Sequence, residues 1–209
     1  WTNHLVDIVH PQQSWQVKSN NKEGGAFVQI SLYKPTLRFK LSSTETLDET
    51  EWDTIWEIWE RAIATGIGSR VAAGYGQPLN TSVTVLHKAK LKGQGQAPKL
   101  IDQSGEFRPN MFRAALRGHA ARIFGGLTTE SQAEPLVQDL FGGIQGKEGT
   151  VGLIGMQFQE TSLDIDSYGK GSYEQPCYEV EGWLTWYLAR PLDNPEHEKP
   201  LKNLVKNLM

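Results

Sequence analysis

The apolar residues of this chain change their spacing several times along its length, and this limits the folds it can adopt. In residues 26–41 and 82–92 they alternate with polar residues, as in half-buried strands. In residues 46–64 they recur every three or four positions, which is the spacing of one helix face. Segments of both kinds follow after residue 110. This order predicts an α+β fold, an antiparallel sheet with helices on one face.

The first helix has a clear start signal and a strongly aromatic stripe. Asp48, with Glu51 three residues later, forms an acidic capping pair where the helix dipole favours negative charge. The apolar stripe contains Trp52, Ile55, Trp56, Trp59 and Ile63. We expect its three tryptophans to lie in the core. Earlier in the chain, Pro35 interrupts residues 26–41, which we therefore expect to form two strands or one bent edge strand.

The second half predicts a strand, a helix, two strands and a final helix. After the strand at 82–92, a loop containing Gly93 and Gly95 is expected to lead to Pro109, a favourable first helical residue. The helix should span residues 110–124 and stop at Gly125-Gly126. A polar connection follows, then strands near 149–159 and 177–190 and a helix over 196–209.

Charge is unevenly distributed although the net charge is only −3. Residues 87–126 contain eight Lys or Arg against Asp102 and Glu106, whereas the segments on both sides are acidic. A basic segment in an acidic chain can bind a phosphate backbone while the remainder repels loose nucleic acid. A solvated charged face remains the alternative.

A glycine-rich run at residues 66–76 follows the first helix. Its glycines allow backbone N–H groups to approach a phosphate, and its Ser69, Arg70 and Tyr75 add a donor, a charge and a stacking face. The run is not a nucleotide-binding fingerprint, because it follows a helix and the chain has no Gly-Lys-Ser/Thr. A plain tight connection would also explain it.

Three segments resemble a known family: GIGSR with GYG at 66–76, FRPNMFRAALR at 107–117, and LFGG at 140–143. They are similar to the glycine-rich loop, the start of the first helix and the Leu-Phe-Gly element of the RAMP superfamily, the repeat-associated proteins of CRISPR effector complexes. The resemblance implies a ferredoxin-like, RRM-like fold. It also implies a backbone-type subunit of a type III-like complex.

The order of these segments departs from the family pattern, in which the glycine-rich loop lies after the second helix. We expect two tandem pieces: residues 1–76 end one RAMP-like domain, 77–81 form a linker, and 82–209 begin the next. The alternative is one permuted domain over 1–209. Because the chain begins with Trp1, we expect it to be a processed product or an excerpt of a longer protein.

The resemblance implies that the chain holds guide RNA, opposite which target RNA pairs, beside other RAMP-type and large subunits. The residues expected to bind RNA are Gly66, Gly68, Ser69, Arg70, Gly74, Tyr75, Gly76, Lys88, Lys90, Lys92, Arg108, Arg113 and Arg117. Such contacts are independent of base sequence and sensitive to salt.

Asp102 lies in the loop before the second helix, where some family members carry an aspartate that cuts target RNA. An aspartate there can orient a 2′-hydroxyl or help hold a divalent ion at the phosphate. Asp102-Gln103-Ser104-Gly105 is also good turn chemistry. We expect no firmly bound cofactor, only a divalent ion such as Mg²⁺ during cleavage, and the chain contains no zinc-ligand pattern.

Two other functions remain open. A CRISPR RNA-processing endoribonuclease would use His87 or His119 as general acid or base, although His119 falls on the apolar side of its helix, where partial burial is expected. A purely structural subunit would contact protein through its tryptophans. The single cysteine, Cys177, and the lack of a long apolar run predict a cytoplasmic protein without a membrane partner.

Overall fold

The computed structural model describes residues 4–9, 27–32, 34–64, 66–69, 71, 75–78, 83–145 and 148–209. The strands are β1 (His4–Val9), β2 (Phe27–Leu32), β3 (Val85–Gln96), β4 (Gly143–Gln145), β5 (Glu148–Thr150), β6 (Ile154–Tyr168) and β7 (Gln175–Leu188). The helices are α1 (Glu49–Ala64), α2 (Asn110–Leu127), α3 (Glu130–Phe141) and α4 (Glu198–Leu208). The predicted α+β class is confirmed.

The described residues divide into two compact units that interleave along the chain. Unit 1 comprises those within Trp1–Leu47, Gln94–Phe107 and Asp164–Glu179. Unit 2 comprises those within Asp48–Gly93, Arg108–Leu163 and Val180–Met209. The tandem division at residues 76 and 82 and its permuted alternative both stay predictions.

Unit 2 contains the main core, built between three helices and those parts of the antiparallel sheet, of order β3-β7-β6, that belong to this unit. Helix α2 packs against both α3 and α4. On β7 the buried side chains alternate, with Leu184 3% and Trp186 1% exposed, so one face of the strand is directed to the core. Helix α4 contributes Leu201, Val205 and Leu208, as its helical spacing predicted.

Unit 1 contains the antiparallel pair of β1 and β2, whose register runs from His4↔Leu32 to Val9↔Phe27. The expectation that the strand pattern continues to residue 41 is wrong, because residues 35–41 are irregular. Pro35 lacks an N–H and has a fixed φ, and Lys34 before it has a φ of 41°, so the ladder cannot extend through them.

Helix α1 begins as predicted but is less buried than its stripe suggested. The backbone N–H of Asp48 donates to Glu51 Oε2 at 3.0 Å, and that of Glu51 donates to Asp48 Oδ1 at 2.9 Å, a reciprocal capping box. None of the helix's residues is buried, and Trp56 is 43% exposed. The prediction that this tryptophan lies in the core is therefore wrong.

Two predictions that were based on glycines are wrong. Gly93 and Gly95 were expected in a loop but lie within β3, where a Cβ on Gly95 would stand 2.7 Å from the Tyr178 hydroxyl oxygen. Gly125 and Gly126 were expected to end α2, yet the helix runs on to Leu127. A glycine marks a close approach between strands as readily as a turn, and packing overrides its weak helix propensity.

Helix α3 was not predicted at all, since residues 127–138 read as a polar connection. Its buried side chains are Ala133, Val137, Leu140 and Phe141, at helical spacing. Pro135 lies inside the helix and concealed the pattern, because proline removes one backbone hydrogen bond of a helix interior. No helix within the described ranges is both long and apolar enough to cross a membrane.

Candidate nucleic-acid interface

The glycine-rich loop between α1 and β3 is closed by a backbone hydrogen bond. The N–H of Ile67 donates to the carbonyl oxygen of Gly76 at 2.9 Å. Gly66, Gly68 and Gly76 have φ values of 104°, 87° and 60°, which side chains other than glycine rarely adopt. A Cβ on Gly76 would lie 1.8 Å from the Ile67 carbonyl oxygen, so only glycine fits this closure.

The other residues of this loop that were predicted to bind RNA differ in their exposure, and two of them are not described. Ser69 is exposed and Tyr75 is half-buried. Arg70 and Gly74 lie outside the described residues. Among its described residues, the loop therefore offers the exposed Ser69 hydroxyl and its backbone to a ligand.

Gln77 attaches this loop to the sheet. Its side-chain Nε2 lies 3.2 Å from the carbonyl oxygens of both Val71 and Met156, and it also donates to the Tyr187 hydroxyl. Burial raises the pKa of that hydroxyl, which keeps it protonated and neutral. Gly155 makes room for the Tyr187 ring, because a Cβ there would lie 2.4 Å from Tyr187 Cζ.

Arg113 and Arg117 bind the carboxyl end of α3. Arg113 Nη2 donates to the carbonyl oxygen of Phe141, and Arg117 Nη1 donates to that of Gly142 at 2.6 Å. These are carbonyls of the helix terminus, which lack partners within the helix and carry its negative dipole end. Both arginines, predicted as phosphate ligands, thus have a structural role as a C-terminal cap.

The Arg113 side chain is half-buried. Burial first, and the neighbouring charge of Arg117 second, lower its pKa from the ordinary value. Among the described residues its Nε has no hydrogen-bond partner although it is buried. Arg113 also interacts electrostatically with Tyr187, the residue to which Gln77 is bonded. The loop, the arginine pair and residues 140–143 therefore meet in unit 2.

The predicted row of lysines lies on β3 and is paired with β7. Lys92 Nζ lies 2.6 Å from Glu181 Oε1, and Lys90 Nζ lies 4.0 Å from Glu181 Oε2. The hydrogen bond from Lys92 lowers the pKa of Glu181, with a further contribution from both lysine charges. Lys88 Nζ stands 5.0 Å from the ring centroid of Trp183. Arg108 is half-buried just before α2.

Asp102 forms the turn that its sequence predicted, in unit 1. Its Oδ1 accepts hydrogen bonds from the Ser104 hydroxyl at 2.6 Å and the Ser104 N–H at 3.0 Å. Gln103 between them has a φ of 69°. The hydroxyl bond, then the backbone bond, lower the pKa of Asp102, so the carboxylate is ionised at neutral pH. Glu106 nearby is buried.

An open depression of about 750 Å³ adjoins this turn. It is lined by Lys99, Gln103, Ser104, Gly105, Ile165, Asp166, Ser167, Gly171, Glu174 and Pro176. Within the described part of the chain, no group of three or more His, Cys, Asp or Glu side chains could hold a metal ion. Mg²⁺ commonly uses one or two carboxylates and completes its shell with substrate phosphates, so Asp102 fits such an ion only when RNA is bound.

The two histidines considered for general acid–base catalysis do not form a catalytic group with each other in the described residues. His87 is half-buried on β3, and the His119 Nδ1 lies 3.1 Å from the Leu208 carbonyl oxygen. The expectation that His119 is partly buried is wrong, because the residue is exposed. No further catalytic partner of either histidine is evident in the described ranges.

The structure thus brings together the loop glycines, Arg113 and Arg117 in unit 2, and places Asp102 in unit 1. Sequence reasoning missed Gln77, which it assigned to a linker, and Tyr187, which it did not single out. Their hydrogen bond joins residues far apart in the chain, and no local pattern signals it. No family model, no curated protein and no solved structure matches the chain.

Proposed function

We propose that this chain is an RNA-binding backbone subunit of a CRISPR type III-like effector complex, with a ferredoxin-like RAMP fold. The observation that supports it is the meeting of three sequence segments in one compact unit. These are the glycine-rich loop, the arginines of α2 and the element at 140–143, the segments in which the chain resembles the RAMP superfamily.

The fold is compatible with this proposal. A three-stranded antiparallel sheet packs on three helices. Helices α2 and α3, which follow β3 in the chain, contribute to one core. Because Gln77 bonds to Met156 and Tyr187 in unit 2, the contacts of the loop favour one permuted domain over two tandem pieces. That choice is part of the proposal.

Guide RNA would be held by its phosphates rather than by its bases. The glycine backbone, the exposed Ser69 hydroxyl and the lysines of β3 offer N–H, O–H and ammonium donors. Arg117 of α2 contributes positive charge beside the carboxyl end of α3, where it is bonded to Gly142. Donors of this kind do not distinguish base sequences, and their affinity falls steeply with salt. The partners are guide RNA, target RNA and other RAMP-type and large subunits.

Native purification of the parent protein from its host tests the proposal directly. We expect short RNAs that share one repeat-derived end to copurify with it, together with other subunits. A lone protein that carries no RNA would overturn the effector assignment. RNA content is measured by end-labelling and sequencing of the extracted nucleic acid.

Asp102 is proposed to act on target RNA. In the cleavage step the 2′-oxygen bonds to the adjacent phosphorus while the bond from phosphorus to the 5′-oxygen breaks. The 2′-hydroxyl proton passes to solvent, and the leaving 5′-oxygen takes a proton from solvent. The ionised Asp102 carboxylate would orient the 2′-hydroxyl by accepting its hydrogen bond. A divalent ion bound with the RNA would neutralise charge on the phosphate.

Replacing Asp102 by asparagine distinguishes a role of its negative charge from a role of its hydrogen bonds in the turn. Asparagine keeps an oxygen that can accept from Ser104, so the turn should persist, whereas the carboxylate is lost. We expect Asp102→Asn to lower the rate of one cut by about 100-fold or more, with assembly intact. Ser104→Ala is the matched control, because it weakens the turn and keeps the carboxylate. If Asp102→Asn cuts normally, Asp102 is only a turn residue.

The pH profile distinguishes this proposal from a histidine nuclease. Because hydrogen bonds from Ser104 lower the pKa of Asp102, its ionisation lies well below neutral pH. We therefore expect no inflection in the cleavage rate near pH ~6.5, where an unperturbed histidine titrates. An inflection there that disappears in His87→Gln or His119→Gln would contradict catalysis by Asp102 and favour the processing endoribonuclease.

One observation favours the second candidate, a structural subunit of the same complex. Val28, Ile30 and Leu32 lie at alternate positions of β2 and are 68%, 50% and 45% exposed. An exposed apolar row of this kind is typical of a surface that another protein covers. Photocrosslinking within the purified complex decides between the two, since a structural subunit would crosslink to neighbouring proteins and not to RNA.

A further inference from the structure

Trp183 lies on the face of β7 that is directed away from the core. Its neighbour Leu184 is 3% exposed, whereas Trp183 is 38% exposed. Successive side chains of a strand point to opposite sides, so the buried and exposed residues of β7 belong to different faces. A large aromatic side chain on an exposed sheet face needs an explanation other than packing in the core.

One lysine of β3 lies over this tryptophan, and two more follow it along the strand. Lys88, Lys90 and Lys92 occupy alternate positions and so share one face of their strand. Lys88 lies over the Trp183 ring, and Lys92 is bonded to Glu181. Because Glu181 precedes Trp183 by two residues, both contacts are on the same face of β7. β3 itself contains no Asp or Glu. The exposed face thus combines an aromatic ring with three lysines, of which Lys90 and Lys92 are paired with Glu181.

We propose that Trp183 is a stacking platform for an unpaired base of RNA, and that Lys88 binds the phosphate beside that base. This inference rests on the proposed function and specifies how RNA is held on the sheet. Aromatic rings stack on any base. Lys88 Nζ lies over the Trp183 ring at 5.0 Å from its centroid, so a base that stacks on this face displaces the ammonium, which then binds the adjacent phosphate. Glu181 holds Lys90 and Lys92 along the strand.

This site differs in kind from the glycine-rich loop. The loop offers hydrogen-bond donors to phosphates, which every nucleic acid possesses whether its bases are paired or not. Trp183 requires a base with an open face, and therefore selects single-stranded over double-stranded RNA. The two surfaces can be tested separately because they depend on different parts of the nucleotide.

The test uses the whole chain and a fluorescent oligouridine of about ten nucleotides, with binding followed by anisotropy. We expect Trp183→Ala to weaken binding about tenfold and Trp183→Phe, which keeps a ring, to stay within about threefold of wild type. Trp56→Ala is the matched control, since Trp56 is 43% exposed but lies on the acidic helix α1. It should leave binding unchanged.

An abasic oligonucleotide of the same length, which keeps the phosphates, supplies the second measurement. Trp183→Ala and wild type should bind it equally, because no base remains to stack. A tenfold loss on the abasic strand would mean that the substitution damages the fold, and would overturn the platform. Equal binding of oligouridine by Trp183→Ala and Trp56→Ala would also overturn it, while leaving the proposed function in place. A wild-type chain that binds neither strand would overturn both.

Discussion

Replacing Gly76 by alanine should destabilise the chain by about 3 kcal/mol and abolish the proposed retention of guide RNA. The added Cβ would lie 1.8 Å from the carbonyl oxygen of Ile67, so the backbone hydrogen bond that closes the loop cannot form. The residue also has a φ of 60°, which alanine adopts only with strain. Urea unfolding followed by circular dichroism measures the loss.

Gly68→Ala is the matched control for this prediction. Gly68 has a φ of 87°, but nothing lies within 4 Å of an added Cβ. Its alanine variant should therefore lose only about 1 kcal/mol, the cost of a left-handed backbone. If both variants lose the same amount, the closure at Ile67 is not what requires glycine, and the loop geometry described above is wrong.

The double variant Arg113→Ala/Arg117→Ala should change stability and RNA binding together. It removes the donors to the Phe141 and Gly142 carbonyl oxygens, which we expect to cost about 3 kcal/mol in the free energy of unfolding. It also removes two cations, so RNA retention should weaken and the slope of log K against log salt should become shallower by about 1–2. Thermal unfolding and salt titration measure the two effects.

Arg122→Ala on the same helix is the control for charge alone, since Arg122 is exposed. It should leave the unfolding free energy unchanged. The double variant Arg113→Lys/Arg117→Lys keeps both charges but loses the planar, five-donor geometry of arginine. Its salt slope should therefore be close to that of wild type, while its free energy of unfolding stays lower. Unchanged RNA retention in the alanine variant would remove both arginines from the RNA site. Unchanged stability would remove them from the helix cap.

Local chemistry was the most predictable part of this fold. The capping box of Asp48 and Glu51 and the turn of Asp102 and Ser104 depend on residues two or three positions apart, and both form as their sequences predicted. The core face of α4 was also visible from its spacing. In each case the interacting groups are fixed by the element itself, with no distant contact required.

Burial and the partners of charged side chains could not be predicted, because they depend on which elements pack together in the fold. The aromatic stripe of α1 has helical spacing, yet periodicity cannot tell how completely another element covers it, and Trp56 remains 43% exposed. Charge alone likewise could not distinguish a phosphate ligand from a helix cap at Arg113. A guanidinium serves either role, and only the position of α3, which was not predicted, makes it a cap.

The bond between Gln77 and Tyr187 bears on the order in which the protein matures. The two residues are separated by 110 positions, so the glycine-rich loop leaves the ribosome long before the strand to which it attaches. Until β7 has been synthesised and paired, the loop lacks this attachment. A nascent or prematurely terminated chain would therefore not present the finished loop to which we assign RNA binding. Under the proposed function, incomplete chains would then neither load guide RNA nor trap cellular RNA during translation.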